Sequence, residues 1–154
     1  MKKEVEKLYG QKIRVRACGI CFEQDKLLLV NHSGITPGNF WAPPGGGIEF
    51  GQTAEEALKK EFAEETGLTI TCGKFLFGCE FLQHPLHAIE VFFEVATHSG
   101  ILKKGNDPEL QIIQDVRFMS TEEIGNIPRN ELHGIFRFIK SPADLRALNG
   151  FFRI

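Results

Sequence analysis

The sequence predicts an α/β fold, and three observations support this prediction. One strongly marked helix lies in the middle of the chain, with strand-like segments on both sides of it, and a second helical pattern follows near the end. With 154 residues, 42% apolar content and no low-complexity linker, the chain can bury a substantial core. We therefore expect one α/β domain that spans residues 1–154.

In the segments before the central helix, apolar and polar residues follow the patterns of β-strands. Lys12 to Phe22 and Lys26 to Asn31 read as two strands joined by a turn at Gln24 and Asp25. A loop rich in Gly and Pro follows, and Phe40 to Ala42 reads as a short strand that ends at two prolines. This part of the chain therefore contributes strands.

Local signals define both ends of the central helix. Thr53 and Glu56 form a capping box, which satisfies free backbone N–H groups in the first turn. Gly67 follows the last turn and suits the left-handed position of a C-cap. The pattern predicts a helix that begins after Thr53 and stops at Gly67.

The segments after the helix return to strand patterns and then to a helical one. The predicted strands are Thr69 to Phe81, His87 to Ala96 and Gln111 to Met119, and Thr121 to Gly125 reads as a helical turn. Arg129 to Lys140 carries apolar residues at helical spacing and predicts a late helix. The apolar face of this helix consists of Leu132, Ile135, Phe136 and Ile139.

The last turns of the central helix carry an acidic cluster, Glu61, Glu64 and Glu65. At 100° per residue these side chains fall within a sector of roughly 100°, where like charges repel by about 0.2 to 0.5 kcal/mol per pair. The negative end of the helix dipole also disfavours Glu64 and Glu65, by about 0.3 to 1 kcal/mol each. A bound cation removes both penalties.

A solvated helix face is the alternative explanation of this cluster. Such a face interleaves lysines, whereas Lys59 and Lys60 are predicted to project elsewhere, and the acidic sector also contains Ala57 and Leu58. The cluster is therefore predicted to lie near the packed side of the helix. Oxygen ligands on one rigid element, without the Cys or His that zinc favours, suit Mg²⁺ or Mn²⁺.

The segment from Gly45 to Leu68 resembles the signature of the Nudix family, G-x5-E-x7-R-E-U-x-E-E-x-G-U, where U is a bulky aliphatic residue. The positions in register are Gly46, Glu61, Glu64, Glu65, Gly67 and Leu68, with Phe62 at the apolar position. The family's G-G-x-x-E-x-G lead-in also matches, at Gly45, Glu49 and Gly51. The resemblance implies a Nudix-like α/β/α sandwich with a mixed central sheet.

The resemblance also implies a function. It implies a metal-dependent hydrolase that cleaves the pyrophosphate bond of a nucleoside diphosphate linked to another moiety, of the ADP-ribose, nucleotide-sugar or nucleoside triphosphate class. The implied ligands of Mg²⁺ or Mn²⁺ are Glu61, Glu64, Glu65 and the Gly45 carbonyl. These three glutamates are therefore the candidate catalytic residues of the helix.

A polar, turn-forming loop from Lys103 to Glu109 is the predicted mobile element. In the family, a glutamate in such a late loop often supplies a further metal ligand or the base that activates water. Glu109 takes that position here, with Asp107 as the second choice and an ordinary exposed loop as the alternative. Glu61 and Glu109 both stay open as the base.

Two positions depart from the signature. Gln52 stands where the family has glutamate, and Lys60 stands where it has the arginine that orients the neighbouring residue, here Glu61. Lys60 could donate a hydrogen bond to Gln52, but its ammonium group is a flexible point charge. It should therefore orient Glu61 less firmly than the planar guanidinium of an arginine would. Lys60 stays a candidate catalytic residue, and a non-catalytic Nudix-fold module that binds a nucleotide or sugar phosphate is the rival function.

Several residues outside the signature have two interpretations. Glu90 and Glu94 share a strand face, which describes either part of a site or a solvent face. Arg14 or Arg16, on the first strand, could contact phosphate. The aromatic residues Phe22, Phe40 and Trp41 are more typical of a core than of a nucleobase platform, and Pro85 only approximately matches a proline of ADP-ribose-cleaving relatives.

Composition argues against other classes of partner. A net charge of −2 and a pI near 6.2 give no basic footprint for a nucleic-acid polymer, and no apolar run approaches the ~20 residues of a membrane span. We expect a small nucleotide substrate and a cytoplasmic protein, and the sequence leaves a monomer and a homodimer both open. The cysteines suit a reducing compartment better than a zinc site; they are Cys18, Cys21, Cys72 and Cys79.

Overall fold

The computed structural model of the chain describes residues 2–32, 37–105 and 113–154. The helices are α1 (Lys2–Tyr9), α2 (Ala54–Thr66) and α3 (Thr121–Gly125). The strands are β1 (Ile13–Ile20), β2 (Phe22–Glu23), β3 (Lys26–His32), β4 (Phe40–Ala42), β5 (Gly45–Gly47), β6 (Thr69–Gln83), β7 (Leu86–Ser99), β8 (Ile113–Met119) and β9 (Phe151–Arg153). Short 3₁₀ helices lie at Arg129–Glu131, Gly134–Phe138 and Pro142–Arg146.

Two sheets form the framework. The larger has the strand order β5-β1-β7-β6-β9 and is mixed, because β1 with β7 and β6 with β9 are parallel pairs, whereas β1 with β5 and β6 with β7 are antiparallel. In the smaller sheet, β3 pairs antiparallel with β2, β4 and β8. The predicted α/β class and the mixed sheet are confirmed.

Helix α2 has the two ends that its sequence predicts. The Thr53 side chain accepts a hydrogen bond from the Glu56 N–H, and Gly67 adopts the left-handed conformation with φ of 75°. Phe62, on the buried side of α2, packs against β1, where a Cβ on Gly19 would lie 2.6 Å from its ring. This close approach places the acidic end of α2 beside β1 and β5.

The predicted helix from Arg129 to Lys140 is wrong. Leu132 has extended backbone and His133 is not helical, so the two residues separate two 3₁₀ helices, at 129–131 and 134–138. The His133 side chain accepts the Ile135 N–H and so starts a new turn in place of a continuous helix. The predicted apolar face still packs inward, since Ile135 and Phe136 are buried in the core.

Other elements were not predicted from the sequence. These are α1, the strand β5, the 3₁₀ helix Pro142–Arg146 and β9, whose three residues pair with β6 at the sheet edge. The longest helix in the described part of the chain has 13 residues, which is shorter than the ~20 that a bilayer-spanning helix needs.

Candidate active site

A cavity of about 360 Å³ lies between the acidic end of α2 and the strands β1, β5 and β7. Gly45, Lys60, Glu61, Glu64 and Glu65, which are the site residues predicted from the signature, all line it. The fold therefore gathers the signature residues on one wall. The residues 106–112, which include the predicted Asp107 and Glu109, lie outside the described part of the chain.

Glu65 is buried and held from two directions. Its Oε1 accepts the Gly45 N–H at 3.0 Å, and its Oε2 lies 3.2 Å from Nε2 of His32. Glu65 is only 3% exposed, so these contacts compensate much of the cost of burying the carboxylate. His32 joins the site from β3, although the sequence offered no signal that paired it with a residue of α2.

Glu61 packs directly on the backbone of β5. A Cβ added to Gly46 would overlap the Glu61 carboxylate, so the glycine provides the space that this carboxylate occupies. Gly46 pairs with Ala17 of β1 in the antiparallel ladder, which fixes its backbone. The glycine of the signature thus permits the close approach of α2 to the sheet.

Glu64 has one buried carboxylate oxygen, Oε2, with no hydrogen-bond partner among the described residues. Its other oxygen lies 3.9 Å from Nζ of Lys60, which also lies 3.8 Å from the Glu49 carboxylate. Lys60 therefore lines the cavity, and the prediction that it projects elsewhere is wrong. The Gln52 Oε1 instead accepts the Glu49 N–H at 3.0 Å.

Arg16, Glu90 and His133 form a largely buried network that also lines the cavity. Arg16 donates from Nη1 to Glu90 Oε2 at 2.5 Å and from Nη2 to the Gly45 carbonyl at 3.0 Å. His133 accepts the Ile135 N–H at Nδ1 and thus presents its Nε2 to Glu90 Oε1, at 2.7 Å. The network connects β1, which carries Arg16, with β7, which carries Glu90, and with His133 at the start of the 3₁₀ helix Gly134–Phe138.

The charge of Glu90 is strongly stabilised. Burial alone would raise the pKa of Glu90, but the His133 ring and the Arg16 guanidinium outweigh burial and lower this pKa from 4.5 to about 2. Burial opposes the charge of Arg16 as well, yet charge interactions with acidic groups around it, Cys18 and Glu90 first, raise the Arg16 pKa above its ordinary value. The pair therefore stays ionised at neutral pH.

The structure decides between several open interpretations. Glu90 is 3% exposed and lines the cavity, so the solvent-face interpretation is wrong for it, whereas the half-buried Glu94 is not among the lining residues. Arg14 and Arg16 both line the cavity, and so does Phe40. His32, His133 and Tyr9 also line it, and sequence reasoning had not selected them.

The cysteines are free thiols, and Cys18 and Cys21 belong to different core clusters. Burial raises the pKa of Cys18, and burial raises the pKa of Cys21 to about 12. Within residues 2–32, 37–105 and 113–154, no three His, Cys, Asp or Glu side chains are grouped closely enough to hold a metal ion.

Curated proteins that are similar to this chain include two phosphate-cleaving enzymes. Over 92 residues the chain is 37% identical to an ADP-ribose pyrophosphatase of Methanocaldococcus jannaschii, a match that covers 58% of this chain and 54% of that protein. Over 39 residues it is 49% identical to the nucleoside triphosphatase NudI of Salmonella heidelberg, covering 25% of this chain and 27% of that protein. The chain thus matches about half or less of the length of these relatives.

Solved structures share the fold. The MutT NUDIX hydrolase from Burkholderia pseudomallei superposes with a TM-score of 0.69 at 17% identity, covering 83% of this chain and 95% of that one. The MutT protein from Methanosarcina mazei Go1 gives 0.67 at 20% identity, covering 82% and 88%. The family model of the NUDIX domain matches residues 11–139, which is most of the chain. The chain therefore belongs to the Nudix family.

Proposed function

We propose that this chain is a divalent-cation-dependent hydrolase that cleaves the pyrophosphate bond of a small nucleotide, a nucleoside diphosphate linked to another moiety. The observation that carries this proposal is the buried Oε2 of Glu64, a residue that lines the cavity; this oxygen has no hydrogen-bond partner among the described residues. An unsatisfied buried carboxylate oxygen is costly, and a hard cation satisfies it.

The oxygen donors at this wall suit Mg²⁺ or Mn²⁺ in chemical type, although the three glutamates are not grouped closely enough to hold an ion in the described arrangement. Glu61, Glu64, Glu65 and the Gly45 carbonyl would hold the ion, and all four supply the oxygen ligands that these ions prefer. The Gly45 carbonyl already accepts from Arg16, but a carbonyl oxygen has a second lone pair. When bound, the ion supplies a more acidic water and neutralises charge on the diphosphate.

The other groups of the cavity complement a diphosphate. Arg16 and Lys60 supply positive charge around it, and Glu90 fixes the direction of the Arg16 guanidinium. Glu61, packed on Gly46, is the described candidate for the base that takes a proton from water, with Glu109 as the alternative. These residues would orient the substrate and move one proton.

The relatives support a nucleotide substrate. One is an ADP-ribose pyrophosphatase and the other a nucleoside triphosphatase, so both act on phosphate anhydrides of nucleosides. We propose the same broad substrate class here. The free cysteines suit the proposed cytoplasmic location.

The rival proposal is a binding module without catalysis. It is favoured by the contacts of Lys60, which lies 3.8 Å from the Glu49 carboxylate and 3.9 Å from the Glu64 carboxylate, and by the Arg16 hydrogen bond to the Gly45 carbonyl. The unsatisfied Glu64 oxygen favours the hydrolase, because a module without a cation has no compensation for it.

A substrate screen tests the proposal. The protein is incubated with Mg²⁺ or Mn²⁺ and with ADP-ribose, nucleotide sugars, dinucleotides and nucleoside triphosphates, and the products are identified by chromatography and mass spectrometry. We expect a nucleoside monophosphate from at least one substrate, and no product in EDTA. Binding without product across all classes would favour the rival module.

Divalent ions are expected to stabilise the fold, because they relieve the repulsion among the glutamates of α2. An ion that binds only the native state raises the free energy of unfolding by about 2.7 kcal/mol at ~100-fold excess over its Kd. Thermal melts with Mg²⁺, Mn²⁺ or EDTA measure this increase. An unchanged midpoint up to ~10 mM metal would contradict the proposed metal site.

Gly46→Ala is expected to lower hydrolysis at least ~10-fold while the thermal midpoint changes little. The added methyl group overlaps the Glu61 carboxylate, which is the flexible end of a side chain and can move aside, so the fold tolerates the change but Glu61 is displaced. Gly125→Ala is the matched control, because a Cβ there has nothing within 4 Å. Equal activity of the two variants would show that the position of Glu61 is unimportant.

A further inference from the structure

One part of the cavity is not used by the proposed chemistry. It is lined by Leu8 and Tyr9 at the end of α1, by Arg14 of β1, and by Phe81 and Leu86 where β6 and β7 meet. Helix α1 precedes residues 11–139, the region that matches the family model, so Leu8 and Tyr9 lie outside that match. We call these five residues the α1 end of the cavity.

Tyr9 and Arg14 form a stacked pair at this end. The Arg14 Cζ lies 3.8 Å from the centroid of the Tyr9 ring, which is within the range of a cation–π contact. On another side, a Cβ added to Gly47 would lie 3.0 Å from the Arg14 Nη2, so the guanidinium also lies against the backbone of β5. The plane of Arg14 is thus held between two elements.

The α1 end lies next to the diphosphate region along β1. Arg16, whose guanidinium reaches the Gly45 carbonyl, is two residues after Arg14, and side chains two apart on a strand share one face. At about 3.3 Å per residue the two positions are separated by roughly 6.6 Å. A substrate with its phosphates at Arg16 would therefore extend its next group toward Arg14 and Tyr9.

We propose that the α1 end is the subsite for the planar base of the nucleotide, which packs on the Tyr9–Arg14 stack and on Phe81 and Leu86. The inference rests on the proposed function for the placement of the phosphates. Aromatic rings and guanidinium planes stack on bases, while Phe81 and Leu86 supply apolar contact. The base subsite, and with it the preference for nucleotides over base-free diphosphates, then depends on a helix outside the family match.

The chain offers a direct probe of this subsite, because Tyr9 is its single tyrosine. Protein labelled with ring-¹³C tyrosine gives one set of aromatic NMR signals. We expect α,β-methylene-ADP, which resists hydrolysis, to shift these signals, and methylenediphosphonate, its base-free counterpart, to leave them in place. Equal shifts with both compounds, or none with α,β-methylene-ADP at saturation, would overturn the base subsite.

Two substitutions of Tyr9 test its contribution. Tyr9→Leu keeps an apolar side chain but removes the ring, and it should raise the Kd of α,β-methylene-ADP about 10- to 100-fold in calorimetry. Tyr9→Phe keeps the ring and should stay within about 3-fold of the wild type, while the Kd of methylenediphosphonate is the same in all three proteins. An unchanged Kd for α,β-methylene-ADP in a folded Tyr9→Leu protein would refute the stack.

The test of the base subsite and the test of the hydrolase proposal can fail independently of each other. If the substrate screen yields no product but α,β-methylene-ADP shifts the Tyr9 signals, the base subsite stands and the hydrolase proposal fails. If a nucleotide is hydrolysed and Tyr9→Leu leaves its KM unchanged, the hydrolase stands and the base subsite fails.

Discussion

Glu64→Gln is expected to lower hydrolysis about 100-fold or more and to leave the fold intact. Glutamine keeps the size of the side chain and its helix propensity, but it removes the negative charge at the unsatisfied Oε2. The thermal midpoint in EDTA should hold or rise, because repulsion within the acidic cluster decreases, and the increase produced by Mg²⁺ should become smaller. Steady-state kinetics and melts with and without metal measure these effects.

Glu55→Gln is the matched control for this prediction. Glu55 lies on the same helix and pairs with Lys59 at 3.1 Å, but both side chains are exposed, so its loss should cost about 0.5 kcal/mol or less. Its turnover should equal that of the wild type. Turnover of Glu64→Gln within a few-fold of the wild type would place the chemistry elsewhere.

Glu90→Gln is expected to lower the free energy of unfolding by about 3 kcal/mol, because it removes the negative partner of the Arg16 guanidinium, whose side chain is only 22% exposed. Arg16 would keep its charge and its hydrogen bond to the Gly45 carbonyl, but its bond at 2.5 Å to Glu90 would lose the ionic component. Urea unfolding at neutral pH measures the change. Glu94→Gln, on the same strand but half-buried, should cost far less.

A double-mutant cycle and a pH series sharpen this prediction. Arg16→Met combined with Glu90→Gln should cost less than the two single changes together, since no unpaired charge remains. Because folding lowers the pKa of Glu90 from 4.5 to about 2, its contribution is present above pH 4.5 and is lost as pH falls toward 2. As the pH falls below 4.5, the free energy of unfolding should therefore decrease less steeply in Glu90→Gln than in the wild type. The same pH dependence of the unfolding free energy in both proteins would contradict the role of this ion pair.

The sequence predicted the elements whose signals are local. Helix α2 was predicted at both ends, because Thr53 and Gly67 act through hydrogen bonds within their own turn. The late helix was mispredicted, because apolar spacing does not distinguish an α-helix from short 3₁₀ turns, and the His133 cap was not recognised. Helix α1 has eight residues, too few to be stable alone, and it depends on contacts such as the Tyr9–Arg14 stack.

In the site, too, the residues with local sequence signals could be predicted, and those that depend on distant contacts could not. The glutamates of α2 could be placed from helical spacing and from the signature, and they line the cavity as a group. Whether Glu90 belongs to the site or to a solvent face could not be decided, because period-two alternation does not tell the two faces of a strand apart. His133 and Tyr9 could not be found at all, since nothing near them in the sequence indicates Glu90 or Arg14 as a partner. The roles of the α2 glutamates and of Glu109 stay predictions.

The link between His133 and Glu90 also has a consequence for synthesis of the chain. Translation makes Arg16, all of α2 and then Glu90 before His133, which follows 43 residues after Glu90. A nascent chain that ends before His133 therefore holds every carboxylate of α2 but lacks one of the groups that secure Glu90. We expect ligand binding by stalled nascent chains to appear abruptly, only once His133 has left the exit tunnel.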